Sequence, residues 1–412
     1  FSLPRVLRLQ SGNRGFTHQG EQPSDFQMER KTGARIPYIE SPPRVEAIKR
    51  RILSAATDAF PRTRIYAFGS SVNGFGDNSS DVDLVVDVPE EDLRQVWTKS
   101  LPRRELAPRT LQEFANCFDY RAQGHIEVEE EVLGAKVPIL KLKVDGVECD
   151  LSCNNLLPVF NSQLLRLYAD FDPRVVQLAQ ELKSWARDKG VHGAFLGHLS
   201  SYSFVLLAIF YMQQRGALPC LQRDQDLHPE WYRERGKDFN VWMNEGDMIA
   251  RGDTVGKAVG TLSDFAQFMT KEFEWGVDVV SVRVGRILDL DAYPELSIRH
   301  AREDDTLHIE DPFDISRNLS CVFGPYANRK LWHCLKELAS GAQHPDELRP
   351  PDAEIHRTAH LRPERSDAAK PRSNFPPANS PAEKPLSALD WLEQGMRLKI
   401  EEASDAMGRD VM

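Results

Sequence analysis

Residues 68–84 read FGSSVNGFGDNSSDVDL, and this stretch constrains the fold more than any other part of the chain. The segment Arg64–Phe68 reads as a strand, and the pair Gly69-Ser70 leaves it. A turn-rich run follows, with Asn73, Gly74, Gly76, Asp77 and Asn78. A second strand is expected over 81–88. Its alternation places Asp81, Asp83 and Val85 on one face. Residues 136–152 read as a β-hairpin, because KVPILKLKV and VECDLS flank Asp145-Gly146, a strong two-residue turn signal. Asp150 then lies on a strand able to pair near the Asp81–Asp83 segment.

Three strand-borne carboxylates suggest a specific chemistry. Nucleotidyl transfer from a nucleoside triphosphate uses two Mg²⁺ ions roughly 3.5–4 Å apart to stabilise the entering and leaving oxygens. Magnesium takes hard oxygen ligands, commonly one or two carboxylates with phosphates and water. Asp81 and Asp83 can bridge both ions, and Asp150 can complete the ion that activates a 3′-hydroxyl. Mn²⁺ is the expected substitute. Gly69 lets the backbone approach phosphates without a Cβ. Ser70, near a helix N-terminus, can donate to a phosphate oxygen. An Asp-x-Asp alone would read as a solvated turn. The flanking strands and the third aspartate favour a catalytic centre.

The rest of the chain sets the frame. It has 412 residues, enough for two or three domains, with 41% hydrophobic and 28% charged residues. Its net charge of −10 does not suggest a general nucleic-acid protein, so any RNA must be held by local cations in a cleft. The six cysteines form no CxxC pair and no zinc pattern, and read as reduced thiols. The longest apolar run, near 204–212, is too short for a membrane span of about 20 residues. No membrane association is expected. Location inside the cell is expected, cytoplasmic or organellar.

Residues 1–40 read as a disordered arm; Arg5, Arg8 and Arg14 without an early acid fit either the tail of a transit peptide or a plain basic arm. An amphipathic helix is expected over 43–60, and the catalytic domain over 41–157. From Pro158 to 340 the pattern becomes helical. Helices are predicted over 175–190, ending at Gly190, and over 200–216, ending at Gly216. Others are expected over 255–271 and 331–339, with a short strand or loop at 277–284. Residues 341–386 hold nine prolines and read as a linker or tail. An isolated helix is expected over 388–403, free to dock on the body or on a protein partner.

The chain resembles the polymerase-β-type nucleotidyltransferases, in particular terminal uridylyltransferases and poly(A) polymerases that lack a separate RNA-recognition domain. GSSVNGFG followed by SDVDL, VECDLSCNN, LSSYSFVLL and IEDPFDISRN carry the resemblance, which spans about residues 43–340. It implies an α+β fold: a mixed-sheet catalytic domain and a mainly helical poly(A)-polymerase-associated domain with a cleft between them. It implies a monomer that adds ribonucleotides to an RNA 3′ end, taking UTP or ATP.

The resemblance also implies roles. Asn161 would read the ribose 2′-hydroxyl, although an Asn there also suits a helix N-cap. Ser162 would be a neighbouring contact. Lys183 and Arg187, one helical turn apart, would hold the β- and γ-phosphates, although such a pair in isolation reads as a solvated face. Ser201 would touch phosphate and Tyr202 would stack on the base. Asp311 and Asp314 would read the base edge.

Uridylyltransferases often carry a histidine where this chain has Arg317. The arginine either occludes a purine or donates to a uracil carbonyl, or else it pairs with Glu310 or Asp314. The resemblance leans towards UTP, with ATP as the alternative. A catalytically dead scaffold would have lost a carboxylate, and all three are present. A CCA-adding or 2′–5′ oligoadenylate enzyme would not share the helical and EDPFD segments. No RNA-recognition fold or Lys/Arg-rich run is evident, so intrinsic RNA affinity is expected to be weak.

Overall fold

The computed structural model describes residues 33–76, 80–96, 102–121, 124–244, 258–292, 306–324 and 326–341. The chain divides into two units, 1–346 and 347–412, and the second lies outside the described residues, as does the helix expected over 388–403.

The sheet forms as its alternation dictates. Strands β1 (Arg64–Phe68), β2 (Val82–Asp87), β3 (Ile126–Val132), β4 (Ile139–Val144) and β5 (Val147–Cys153) pair in the order β1-β2-β5-β4-β3. All neighbours are antiparallel except β2 and β5, which run parallel. The β4–β5 turn is Asp145-Gly146, both at positive φ (48° and 83°), the geometry this dipeptide favours. On β2, Val82, Leu84, Val85 and Val86 are fully buried, each contributing about 1.5–3 kcal/mol of hydrophobic stabilisation. That makes β2 a rigid ruler for the aspartate it carries. Helices α1 (Pro43–Ala56), α2 (Glu90–Val96) and α3 (Arg103–Arg121) complete this half. Contacts tie α1 to β1 and α3 to β3, β4 and β5.

The second half is built on α4 (Leu157–Phe171), α5 (Arg174–Asp188) and α6 (Ser201–Gln214). Helix α5 buries Val175, Leu178, Ala179, Leu182 and Ala186 at three- and four-residue spacing. Helix α6 starts at the Ser200 cap, which accepts from the Ser203 amide, and is buried from Ser203 to Gln213. A hairpin, β6 (Trp231–Glu234) and β7 (Lys237–Asn240), turns at Arg235-Gly236, again both at positive φ. A small sheet of β8 (Asp278–Val280), β9 (Leu288–Asp289) and β10 (His308–Ile309) follows, then the last described helix, α8 (Ala327–Ser340).

Three expectations need correction. The end of the supposed disordered arm is ordered: Ala34, Ile36 and Ile39 are buried, and the Ala34 amide donates to Trp231 O at 3.1 Å. Burial of these apolar residues outweighs the polar composition of the stretch before them. The helix expected over 255–271 begins only at α7 (Leu262–Gln267), where Thr261 and Asp264 form a capping box, and it continues as a π turn over Phe268–Glu272. Asn161 is not a helix cap, because it lies inside the first turns of α4. No described helix is long and apolar enough to cross a membrane.

Candidate active site

The parallel pairing of β2 and β5 sets Asp83 directly opposite Asp150, and the antiparallel pairing of β1 sets Phe68 opposite Asp83. Asp81 stands one residue before β2 and is exposed. Three carboxylates thus lie toward one end of the sheet. Burial, then Asp150, then Asp81 push the Asp83 carboxyl up to about 7. Burial also raises Asp150. Asp81, Glu130 and Glu148 add to this, while Lys141, opposite Asp150 on β4, pulls the other way.

As the side chains stand, no three His, Cys, Asp or Glu among the described residues are gathered to hold a metal ion. The donor set nevertheless suits a hard divalent cation. It offers carboxylate oxygens alone, and such a cation would offset both causes that raise Asp83, its burial first and then the repulsion from Asp150 and Asp81.

Gly69 is fitted to this site. It has φ +73°, and a Cβ there would sit 2.2 Å from Asp83 Oδ2. Its amide donates to Ser162 Oγ at 2.8 Å, and Ser162 Oγ donates to Pro158 O at 2.8 Å. Ser162 is buried, so it ties α4 to the Gly-Ser turn. Ser70 lies in that short turn, Gly69–Ser71. Its carbonyl would be 2.3 Å from a Cβ on Gly76, so the loop folds tightly back on itself.

Lys183 is buried and donates to Phe75 O at 2.7 Å, bridging α5 to the same loop. Arg187 is exposed on the next turn of α5. His192 Nε2 lies 2.9 Å from the Ser201 hydroxyl, and its ring stacks on Phe204. Burial, then Arg187 and Lys183, hold the His192 imidazole below its ordinary value. Lys183, Arg187, His192 and Ser201 therefore share one electropositive neighbourhood.

The Tyr202 hydroxyl donates to Asn161 Oδ1 at 3.0 Å, linking α6 to α4. Burial, then the Asp311 carboxylate, hold the Tyr202 hydroxyl far above its usual range, with Arg317 opposing. This brings the 310–318 loop to the same place. Asp311 is fully buried; its Oδ1 accepts from the Phe313 and Asp314 amides, and its Oδ2 has no hydrogen-bond partner. Arg317 Nη1 stands 3.7 Å from that oxygen. The Arg317 side chain pairs with neither the Glu310 nor the Asp314 carboxylate, while its amide donates to Asp314 O at 2.8 Å. Glu310 is taken by Arg283 and Ser281, and Asp314 by Lys237 and Ser316.

Sequence reasoning missed the β6–β7 hairpin and His192. Glu234 on β6 accepts from the Leu156 amide at 2.6 Å and the Leu157 amide at 3.3 Å, capping α4 from a distance. Lys237 on β7 holds Asp314. The alternation of WYRE and KDFN around Arg-Gly was the available signal. His192 carried none.

Residues 40–170 match the sequence family described as "Poly(A) RNA polymerase, mitochondrial-like, central palm domain". Poly(A) RNA polymerase GLD2-B of Xenopus laevis is 32% identical over 276 residues, covering 64% of this chain and 49% of that protein. The GLD2 enzyme of Homo sapiens is 32% identical over 292 residues, covering 67% and 57%. The chain thus spans about half the length of the curated relatives it matches. Among solved structures, mtPAP in complex with ATPγS superposes with a TM-score of 0.58 at 24% identity, covering 72% of this chain and 64% of that one. A cytoplasmic RNA terminal U-transferase superposes at 0.56 and 22%, covering 73% and 89%. The mixed sheet and flanking helices are those of nucleotidyltransferase structures, and the palm-domain match and the curated relatives make the chain similar to the polymerase-β-type nucleotidyltransferases.

Proposed function

We propose that this chain adds nucleotides, one at a time and without a template, to RNA 3′ ends, with ATP as its preferred substrate. The observation that carries the reading is the register that seats Asp83 beside Asp150, with Gly69 held against the Asp83 carboxylate. The preference for ATP rests on the curated relatives, which are poly(A) RNA polymerases. They support it better than the lean to UTP drawn from the sequence.

The chain's own residues divide the work. Asp81, Asp83 and Asp150 would hold Mg²⁺, which when bound supplies charge stabilisation at the attacking 3′-oxygen and the departing pyrophosphate. Ser70, Lys183, Arg187 and Ser201 bind the triphosphate. Tyr202 offers a stacking face and, by donating to Asn161 Oδ1, leaves the Asn161 amide nitrogen as a donor for the ribose. Asp311 Oδ2 makes no hydrogen bond and is ion-paired with Arg317 at 3.7 Å, so it would be free to accept a hydrogen bond from the base edge, and an adenine amine is a donor suited to it. Asp314, fixed by Lys237, and Arg317 flank that oxygen.

Extension of a labelled RNA with Mg²⁺ and each ribonucleotide separately tests this. The expected result is a ladder with ATP that Asp81→Ala/Asp83→Ala abolishes. A ladder with UTP alone would return the chain to the uridylyltransferases, and the absence of any ladder would sink the reading.

A further inference from the structure

Phe195 is fully exposed and Leu196 is 70% exposed, although both sit in a well-fixed turn. The turn is Ala194–Leu196, framed by Gly193 (φ 115°) and Gly197 (φ 73°). It is closed by hydrogen bonds from Gly193 N to Leu199 O at 2.9 Å and from His198 N to Gly193 O at 3.0 Å. A rigid turn that holds two bare apolar side chains in water marks a contact surface.

This turn rises from the nucleotide site. Its first anchor is His192, bonded to Ser201. Its far side packs on the segment before α8: Gly324 N donates to Gly197 O at 3.0 Å, and Lys330 Nζ donates to Gly190 O at 2.8 Å. That second segment carries another bare aromatic ring, Tyr326, 78% exposed.

The charge around these rings is opposite to that of the chain. Residues 187–198 and 324–330 carry Arg187, Lys189, Arg329 and Lys330 against the single acid Asp188, in a chain of net charge −10. Lys189 is shared with Glu337. Exposed aromatic rings among cations form the pattern that binds single-stranded nucleic acid, by stacking on any base and by neutralising phosphates.

We infer that Phe195 and Tyr326 form a stacking platform for single-stranded RNA at the rim of the nucleotide site. This deepens the proposed function and rests on it. The platform holds acceptor bases without reading their sequence, so it contributes affinity and not base choice.

The test is equilibrium binding of a fluorescent single-stranded oligoribonucleotide to the full chain, read by anisotropy at low salt, which needs no turnover. Phe195→Ala/Tyr326→Ala should weaken binding about tenfold, within the range measured for loss of base stacking. Phe195→Trp should retain it, and the KM for ATP should be unchanged in extension assays. Unchanged RNA binding would overturn the proposal and leave the patch as a protein-docking face. An equal rise in the KM for ATP would overturn it too, by placing Phe195 in the nucleotide pocket. A wild-type chain that binds RNA yet extends none with any nucleotide would instead overturn the proposed function and spare the platform.

Discussion

Gly69 lies so close against Asp83 that a single added carbon would come within 2.2 Å of the Asp83 carboxylate oxygen. The glycine is therefore part of the wall that positions the carboxylate. Gly69→Ala should lower kcat by about a hundredfold, the scale of a misplacement near 1 Å. Its positive φ adds about 1 kcal/mol of destabilisation. Single-turnover extension and thermal melts measure the two separately. Activity within threefold of wild type would contradict the contact.

Asp83 gives a prediction with a sign. Its folded carboxyl is raised to about 7 from an ordinary 3.8, so the folded state binds the proton more tightly than the unfolded one. That contribution to stability is fully present below pH 4 and is lost as the pH rises through 7. In chelator the wild type should lose stability over this window, and Asp83→Asn should lose less. The asparagine variant should be the more stable at pH 7.5, by up to about 4 kcal/mol. Added Mg²⁺ should raise the melting temperature of the wild type more than that of the variant. Melts across pH, with and without the ion, check all three points.

His192 runs the other way. Burial and the cations Arg187 and Lys183 depress its pKa, so its neutral form is favoured in the folded chain. The associated stability is present above the unfolded value near 6.5 and is lost as the pH falls below it. His192→Asn should flatten the drop in melting temperature between pH 7 and pH 5. An equal drop in both proteins would place the titrating group elsewhere.

Glu234 gives a prediction about folding. It satisfies the Leu156 and Leu157 amides and accepts from the Tyr232 hydroxyl while largely buried. Glu234→Ala strands these donors, at about 1–3 kcal/mol for each left unsatisfied. A large fall in melting temperature, with Asn161 and Ser162 displaced along with α4, is the expected outcome. Denaturant unfolding measures it.

The catalytic half was legible because its signals are local. The spacing of Gly69, Asp83 and Asp150 and the Asp145-Gly146 turn each declare a strand or a bend within a few residues. Helix α3 and strand β3 were passed over. The first carries Pro108 among charged residues, and the second, IEVEEEV, is an edge strand with most of its glutamates in water. The links that close the site were harder to read, because they join residues far apart in the chain. Glu234 bonds to Leu156 across 78 residues, and Lys183 reaches Phe75 across 108. The partner of Arg317 was also out of reach. Which acid it faces depends on Arg283 and Lys237 having taken the other two.

The β6–β7 hairpin supports both the helix that carries Asn161 and the loop that carries Asp314, the two positions proposed to read sugar and base. Glu234 steadies the helix that presents Asn161, Lys237 clamps Asp314, and Phe160 of α4 packs between Tyr232 and Phe313. On the proposed function, sugar and base recognition would share one peripheral support. On that reading, substitutions in this hairpin would retune which nucleotide is accepted while every pocket residue stays the same. Two proteins of this kind with identical pockets need not share a substrate, and a selection for altered tails would find footholds at Glu234 and Lys237, on a surface that inspection of the cleft alone would pass over.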